Sequence, residues 1–178
     1  EVKNISGIVT IDPFIRQLTR TYKGITEGFS DPISQVQRQK LLLQKWFSVQ
    51  KLKHPPIKHL VVFSNPSTIL NFTESPPADS PYRNIIHSQN IIDKIKDLNP
   101  DIIFFVGWSW LVDKELVEKF KCICLHPSPL PKYRGGSPLQ HQIINGEGES
   151  AVTLFRMGEF VDKGPIVFQE KFSLNGEL

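Results

Sequence analysis

Three side chains with reactive chemistry alternate along one short apolar segment of the chain. Cys122, Cys124 and His126 are separated by single residues, so a β-strand here points all three toward one face. Two thiols and an imidazole on one face are potential zinc ligands, and Cys124 beside His126 is a potential nucleophile with its base. No fourth zinc ligand is evident, nor an orienting partner other than Asp162. Both chemistries stay open as alternatives to a histidine acting at the end of the strand.

The residues after His126 favour a rigid support for its imidazole. The segment 127–131 holds three prolines, which fix φ and cannot donate backbone hydrogen bonds. A helix is expected next, with Ser137 as N-cap and Pro138 at the first helical position. It should end at Asn145-Gly146, where a left-handed residue is expected. This pattern predicts a strand, a stiff turn and a helix that together hold the imidazole in one orientation.

Three blocks of sequence carry a family resemblance: His126-Pro127-Ser128, Leu130-Pro131-Lys132-Tyr133-Arg134-Gly135, and Asp162-Lys163-Gly164. Together they resemble the folate-dependent formyltransferases, which include the methionyl-tRNA, glycinamide ribonucleotide and sugar N-formyltransferases. The family has asparagine two positions before its histidine, where this chain has Cys124.

The resemblance implies transfer of a formyl group from 10-formyltetrahydrofolate to an amine, on a small molecule or linked to tRNA. It places His126 beside the formyl oxygen and the proton path, with Asp162 orienting the imidazole. Cys124 stands where the asparagine would stabilise the oxyanion. A thiol is a weak donor, and losing one such donor costs about 10²–10³ in rate. The missing amide is therefore expected to impair the activity that the resemblance implies.

The resemblance also implies two loops that hold the folate. One loop comprises Ser109, Trp110, Leu111 and Val112, which pass the pterin mostly with backbone groups. The other runs from Met157 and Gly158 to Asp162 and closes the pocket. Plain packing of the aromatic side chains is the alternative for the first loop.

Composition places the chain among globular proteins. It has 178 residues, of which 39% are apolar and 22% charged, with a net charge of +3. No apolar run approaches the ~18 residues of a membrane span. The two cysteines, two apart on one strand, have poor disulfide geometry, so a cytoplasmic location is expected.

The amino-terminal part of the chain has a second pattern. Glu1 and Lys3 share one face of a predicted strand, as in nuclease sites where the carboxylate holds Mg²⁺ and the lysine steadies the attacking water or phosphate. Residues 17–20, 27–40 and 59–66 resemble the nuclease-related domain family, which has a restriction-endonuclease-like fold. That resemblance implies Glu1 as metal ligand, Lys3 as catalytic lysine, Gln35 nearby as a supporting residue, and DNA as partner.

The hydrophobic pattern predicts the elements that position these residues. A helix begins at Asp31 and runs to about Leu52 with an apolar, core-facing stripe, and Asp113 caps another helix. Residues 101–107 are an apolar run typical of a strand buried on both faces. The other expected elements are strands 5–11, 57–63, 85–87, 122–125, 151–157 and 165–168, and a helix capped by Ser88 and ending at Leu98.

These patterns predict an α/β protein with a mixed or parallel central sheet. Residues 1–97 are expected to form a partial nuclease-related segment, and residues 98–178 the catalytic half of a Rossmann-like formyltransferase domain. Such a chain is a fusion or chimera of two partial domains. A formyltransferase-like protein is the first hypothesis, a Mg²⁺-dependent nuclease the second, and a non-catalytic interaction protein the third.

Overall fold

The computed structural model describes residues 2–108 and 112–175. The chain divides into two compact units, Glu1–Asp93 and Lys94–Leu178. Each unit has its own sheets and buried residues. No helix among the described residues is long and apolar enough to cross a membrane.

The first unit contains two β-sheets. A three-stranded parallel sheet has the order β1-β5-β7, and a mixed four-stranded sheet has the order β4-β3-β2-β6. The strands are β1 Val2–Lys3, β2 Gly7–Asp12, β3 Gln17–Tyr22, β4 Ile25–Phe29, β5 Val61–Phe63, β6 Thr68–Phe72 and β7 Ile85–His87. The predicted strand 5–11 is thus β2 in part, and only the last three residues of the predicted strand 57–63 are extended.

The long helix α1, Pro32–Val49, begins as the sequence indicates. The Asp31 side chain accepts hydrogen bonds from the backbone N–H groups of Ile33 and Ser34, which satisfies two donors of the first turn. Ile33 and Val36 pack into the core of the unit.

The prediction that the whole apolar stripe of α1 faces a core is wrong. Trp46 is 52% exposed, and Leu42, Leu43 and Leu52 are exposed as well. The helix has 18 residues, and only its first two turns reach the buried cluster of the first unit.

The second unit is built on a mixed four-stranded sheet of order β11-β10-β9-β8. β8 pairs with β9 in parallel, while β10 is antiparallel to both β9 and β11. This arrangement agrees with the expected mixed sheet. The remaining elements are α2 Ile91–Leu98, β8 Ile103–Val106, α3 Lys114–Lys119, β9 Cys122–His126, α4 Pro138–Ile144, β10 Glu149–Arg156 and β11 Ile166–Ser173.

The apolar strand β8 is buried on one face only, which corrects the prediction of burial on both faces. Phe105 is 5% exposed, whereas Phe104 is 58% exposed. β8 is the last strand of its sheet, and its second face, which carries Phe104 and Val106, is exposed.

Helix starts after residue 87 follow the sequence at one place and depart from it at two. Asp113 caps α3 by accepting from the N–H of Glu115. A short 3₁₀ helix, Ser88–Asn90, precedes α2, so Ser88 does not cap it. Ser137 precedes α4 but makes no capping hydrogen bond, because its φ of 51° is left-handed, whereas N-cap side chains bond from extended backbone.

The loop between β10 and β11 leaves no space for a side chain at Gly164. A Cβ there would overlap the backbone carbonyl of Arg156, whose N–H donates to the Pro165 carbonyl at 2.9 Å. We expect Gly164→Ala to lower the free energy of unfolding by roughly 1–3 kcal/mol, the usual cost of overpacking, as measured by urea denaturation. Gly158→Ala in the same loop is the control, since a Cβ there meets no atom within 4 Å. Equal losses for the two variants would contradict the expectation.

Candidate functional site

His126 ends β9 at the carboxyl edge of the parallel pair β8 and β9, where ligands bind in open α/β sheets. Along β9 the residues alternate between buried and half-buried, and Cys122, Cys124 and His126 are the buried set. The sequence prediction that these three side chains share one face is therefore confirmed. The alternation directs the imidazole to the same side of the strand as the two thiols.

The structure brings His126 and Asp162 together. Nδ1 of His126 lies 3.6 Å from Oδ2 of Asp162, and their side chains are 7% and 14% exposed. Both residues line a cleft of about 490 Å³, within the range of small-molecule pockets. An imidazole and a carboxylate therefore meet at the wall of an opening large enough for a ligand.

The other ring nitrogen of His126 is bonded to backbone. Nε2 lies 2.8 Å from the carbonyl oxygen of Tyr133. Because a carbonyl can only accept, Nε2 carries a proton in this hydrogen bond. Nδ1, facing the carboxylate of Asp162, is thus the nitrogen that can gain or lose a proton.

Asp162 is held by the glycine-rich segment after the proline turn. Its Oδ2 accepts from the N–H of Gly135 at 2.7 Å, and its carbonyl accepts from Nε of Arg134 at 2.9 Å. Its φ is 50°, in the left-handed region. These contacts fix the carboxylate beside the imidazole although it lies on a distant loop.

The turn after His126 is supported by a network of side chains. Ser128 Oγ donates to the Lys132 carbonyl at 2.8 Å, and Thr153 Oγ1 on β10 donates to the Ser128 carbonyl at 2.6 Å. Nε2 of Gln142 on α4, a fully buried residue, donates to the Pro127 carbonyl at 3.0 Å. The predicted rigid turn therefore exists, and hydrogen bonds from β10 and α4 add to the effect of its prolines.

The predicted folate-binding residues that the structure describes all border the cleft. Val112 from the first predicted loop lines it, as do Met157, Gly158 and the rest of the segment 157–162. Ser109, Trp110 and Leu111 lie outside the described residues. Lys114 and Val117 on α3 also line the cleft, together with Trp108, Gly136 and Phe155.

The thiols do not have the properties of a nucleophile or a zinc site. Both cysteines are free and buried. Burial, together with the negative charge of Asp162, raises the pKa of Cys124 to about 12, and Cys122 Sγ donates to the Leu116 carbonyl at 3.6 Å. Among residues 2–108 and 112–175, no three or more His, Cys, Asp or Glu side chains cluster to hold a metal ion. The geometry therefore favours neither alternative.

The raised pKa of Cys124 predicts a change in stability with pH. Above its ordinary pKa of 9.0 an unfolded thiol loses a proton that the folded chain retains up to about 12. The contribution of the buried thiol to the free energy of unfolding is therefore complete below pH 9.0 and declines as the pH rises toward 12. We expect Cys124→Ala to have a shallower alkaline decline in the free energy of unfolding, measured by denaturant titration. Identical slopes for the two proteins would contradict the burial of this thiol.

The predicted nuclease residues lie in the first unit. Nζ of Lys3 on β1 donates to Oε1 of Gln35 on α1 at 3.3 Å, so the structure brings these two together. Glu1 lies outside the described residues. The Mg²⁺ site thus has no support from the part of the chain that the structure describes.

Sequence reasoning missed three contributors to the site. It did not identify the Tyr133 carbonyl, Gln142 or Lys114, which hold the imidazole, the turn and one wall of the cleft. The left-handed Tyr133, with φ of 57°, has no signature in the sequence because Tyr rarely adopts that region. Gln142 was detectable, since a glutamine within the predicted helix needs hydrogen-bond partners if buried.

Comparison with protein families gives two matches. The family described as Formyl transferase matches residues 39–176, and the family described as Nuclease-related domain matches residues 1–64. The first match begins upstream of the predicted boundary at residues 97 and 98, which stays a prediction. The second covers about a third of the chain.

Curated relatives share the formyltransferase part. The methionyl-tRNA formyltransferase of Clostridioides difficile is 36% identical over 131 residues, covering 72% of this chain and 38% of that protein. The methionyl-tRNA formyltransferase of Ehrlichia ruminantium is 40% identical over 85 residues, covering 47% and 28%. The chain thus spans about a third of the length of these relatives.

Solved structures share the fold. Methionyl-tRNA formyltransferase from Clostridium thermocellum has a TM-score of 0.50 at 22% identity, over 97% of this chain and 55% of that one. Glycinamide ribonucleotide transformylase 1 from Geobacillus kaustophilus has a TM-score of 0.51 at 20% identity, over 74% and 76%. These likenesses support a mixed α/β fold similar to that of the formyltransferase structures. The restriction-endonuclease-like fold of residues 1–97 is not confirmed.

Proposed function

The chain belongs to the formyl transferase family, and from this premise we propose that its second unit transfers a formyl group from 10-formyltetrahydrofolate to an amine. The observation that carries the proposal is the contact between His126 and Asp162 at the wall of the cleft. His126 lies at the carboxyl end of β9, and the loop 157–162, which carries Asp162, also lines the cleft.

The donor supplies a formyl carbon bonded to the N10 nitrogen of the folate. In the balanced reaction the amine nitrogen bonds to this carbon, the bond from the carbon to N10 breaks, and one proton passes from the amine to N10. The products are a formamide and tetrahydrofolate. The protein must therefore bind both partners, stabilise the negative oxygen of the tetrahedral intermediate, and move one proton.

His126 and Asp162 carry the proton. With Nε2 committed to the Tyr133 carbonyl, Nδ1 accepts a proton and Asp162 stabilises the resulting imidazolium. The hydrogen bond from Gly135 keeps one carboxylate oxygen in place during this exchange. Protonated His126 also places positive charge near the developing oxyanion.

Cys124 lowers the rate that this site reaches. Its buried thiol borders the same cleft as His126, and the resemblance implies that it replaces an amide that donates to the oxyanion. A thiol is a weaker donor, so stabilisation of the intermediate relies more heavily on His126. The proposed activity is accordingly slow.

The mixed lining of the cleft fits a folate. Apolar side chains such as Val117, Phe155 and Met157 suit a flat pterin ring, while Lys114 at the rim suits the carboxylates of the folate tail. The indole Nε1 of Trp108, also in the lining, is a buried donor with no hydrogen-bond partner among the described residues.

The proposed acceptor is an amine linked to tRNA, as the names of the curated relatives suggest. The chain covers only about a third of the length of those relatives, so the acceptor is part of the proposal. A free amino acid or amino sugar is the alternative acceptor.

Binding and transfer can be tested separately. Tetrahydrofolate should raise the melting temperature of the chain, and 10-formyltetrahydrofolate with methionyl-tRNA should yield a formylated product detected by mass spectrometry. His126→Asn should retain the first effect and lose the second. Absence of folate binding by the wild-type chain would overturn the proposed function.

A further inference from the structure

Tyr133 is tied into the site at both of its ends. Its carbonyl oxygen lies 2.8 Å from Nε2 of His126. Its hydroxyl donates to Oε1 of Glu147 at 2.6 Å and accepts from Nδ2 of Asn145 at 3.2 Å. One residue therefore links the imidazole to the segment that follows α4.

The backbone of Tyr133 needs such a tie. Its φ of 57° is left-handed, a conformation that residues with a large side chain rarely adopt. The φ and ψ angles of Tyr133 determine where its carbonyl points. An interaction that holds the residue in this conformation thereby also aims its carbonyl at the imidazole.

The residues on either side of Tyr133 are held by other hydrogen bonds. The proline turn ends in the bond from Ser128 Oγ to the Lys132 carbonyl, one residue earlier. On the other side, the bonds to Asp162 come from Arg134 and Gly135. Among the contacts of the described residues, the side chain of Tyr133 is thus the anchor between these two fixed points.

We propose that Tyr133 is a positioning residue whose hydroxyl, held by Glu147, keeps its own carbonyl on Nε2 of His126 and so fixes the tautomer of that imidazole. With the proton on Nε2, Nδ1 is left open toward Asp162. This inference rests on the proposed function only for its consequence, namely that Nδ1 is the nitrogen that exchanges the proton during formyl transfer. The tautomer itself is a property of the folded chain without substrate.

Charge and hydrogen bonding at the hydroxyl support the link. The hydrogen bond to Glu147 raises the pKa of Tyr133, so the phenol keeps its proton and stays a donor at neutral and mildly alkaline pH. The carboxylate acceptor makes this bond charge-assisted and hence stronger than a neutral one. Tyr133 and Glu147 are both half-buried, so substitutions there should leave the core intact.

The tautomer can be read directly by ¹⁵N NMR of the histidine rings in the full chain, at a pH where the rings are neutral. His126→Gln identifies the resonances of His126. Tyr133→Phe and Glu147→Ala each break the tie from opposite sides, whereas Glu147→Gln keeps an oxygen acceptor. Tyr22→Phe, on β3 of the other unit, controls for loss of a phenol hydroxyl.

We expect Nε2–H to dominate in the wild-type chain, and the share of the Nδ1–H tautomer to rise about fivefold in Tyr133→Phe and Glu147→Ala, the effect of one ordinary hydrogen bond. Glu147→Gln, which keeps a neutral oxygen acceptor, should shift the tautomer less than Glu147→Ala, and Tyr22→Phe should match the wild type. An unchanged tautomer in Glu147→Ala would overturn the proposal, even if Tyr133→Phe failed to fold. If the tautomer shifts but no variant or wild-type chain binds folate, only the proposed function fails.

Discussion

Replacement of Cys124 by asparagine should raise the rate of formyl transfer by about 10²–10³, the usual contribution of one oxyanion donor. Cys124 is buried on β9 at the edge of the cleft, two residues before His126. Under the proposed function, we expect an amide at this position to donate to the oxygen that becomes negative in the intermediate. Burial raises the pKa of the Cys124 thiol to about 12, so the thiol is neutral at neutral pH. The substitution therefore replaces a weak neutral donor by a stronger neutral donor and does not change the charge of the site.

Cys124→Leu is the matched control, because leucine has the branched shape of asparagine but no N–H group. The two variants should bind tetrahydrofolate similarly in a thermal-shift assay and differ in kcat. Equal rates for Cys124→Asn and Cys124→Leu would show that position 124 does not reach the oxyanion. A gain in both would indicate that cleft shape, and not hydrogen bonding, limits the wild-type chain.

Asp162→Asn should lower kcat by about 10²–10⁴, the range attributed to a positioned acid or base. The carboxylate lies 3.6 Å from Nδ1 of His126 and provides the negative charge that stabilises the imidazolium. An asparagine keeps an oxygen for the N–H of Gly135, so the loop should stay in place. The oxygen that accepts from Gly135 is also the one that faces Nδ1, so the variant keeps an oxygen beside the ring but lacks the charge that stabilises the imidazolium.

The measurement is the pre-steady-state rate of formyl transfer, with the melting temperature as a check on folding. Asp101→Asn removes an exposed carboxylate of the same unit and should leave the rate unchanged. A wild-type rate in Asp162→Asn would exclude the carboxylate from proton transfer. A large drop in melting temperature would instead assign Asp162 a role in holding the loop.

Several local features were predictable because they depend on neighbouring residues. Asp31 and Asp113 begin helices at the expected positions, since short polar side chains satisfy the first N–H groups. The alternation of Cys122, Cys124 and His126 required only that the segment be extended. Gly146, with φ of 70°, ends α4 as a left-handed residue, because glycine adopts that conformation without strain.

Burial was less predictable, because it depends on whether another element packs against the residue. The apolar run of β8 is typical of a strand buried on both faces, yet only the face with Phe105 is buried, while Phe104 is exposed. The apolar residues of α1 beyond its first two turns are exposed because only those two turns reach the buried cluster of the first unit. The sequence pattern shows that a face is apolar, whereas only the tertiary structure shows whether another element packs against that face.

The sequence by itself determined which groups could do chemistry: an imidazole at a strand end, a stiff proline turn, a carboxylate on a distant glycine-containing loop, and a thiol in place of an amide. Only the tertiary structure decided how these groups act on one another. The antiparallel β10 leads into the loop that returns Asp162 to His126, and the left-handed Tyr133 directs a carbonyl onto one ring nitrogen. Both depend on contacts between residues far apart in the chain or on backbone angles that residue type does not specify, so no local pattern encodes them.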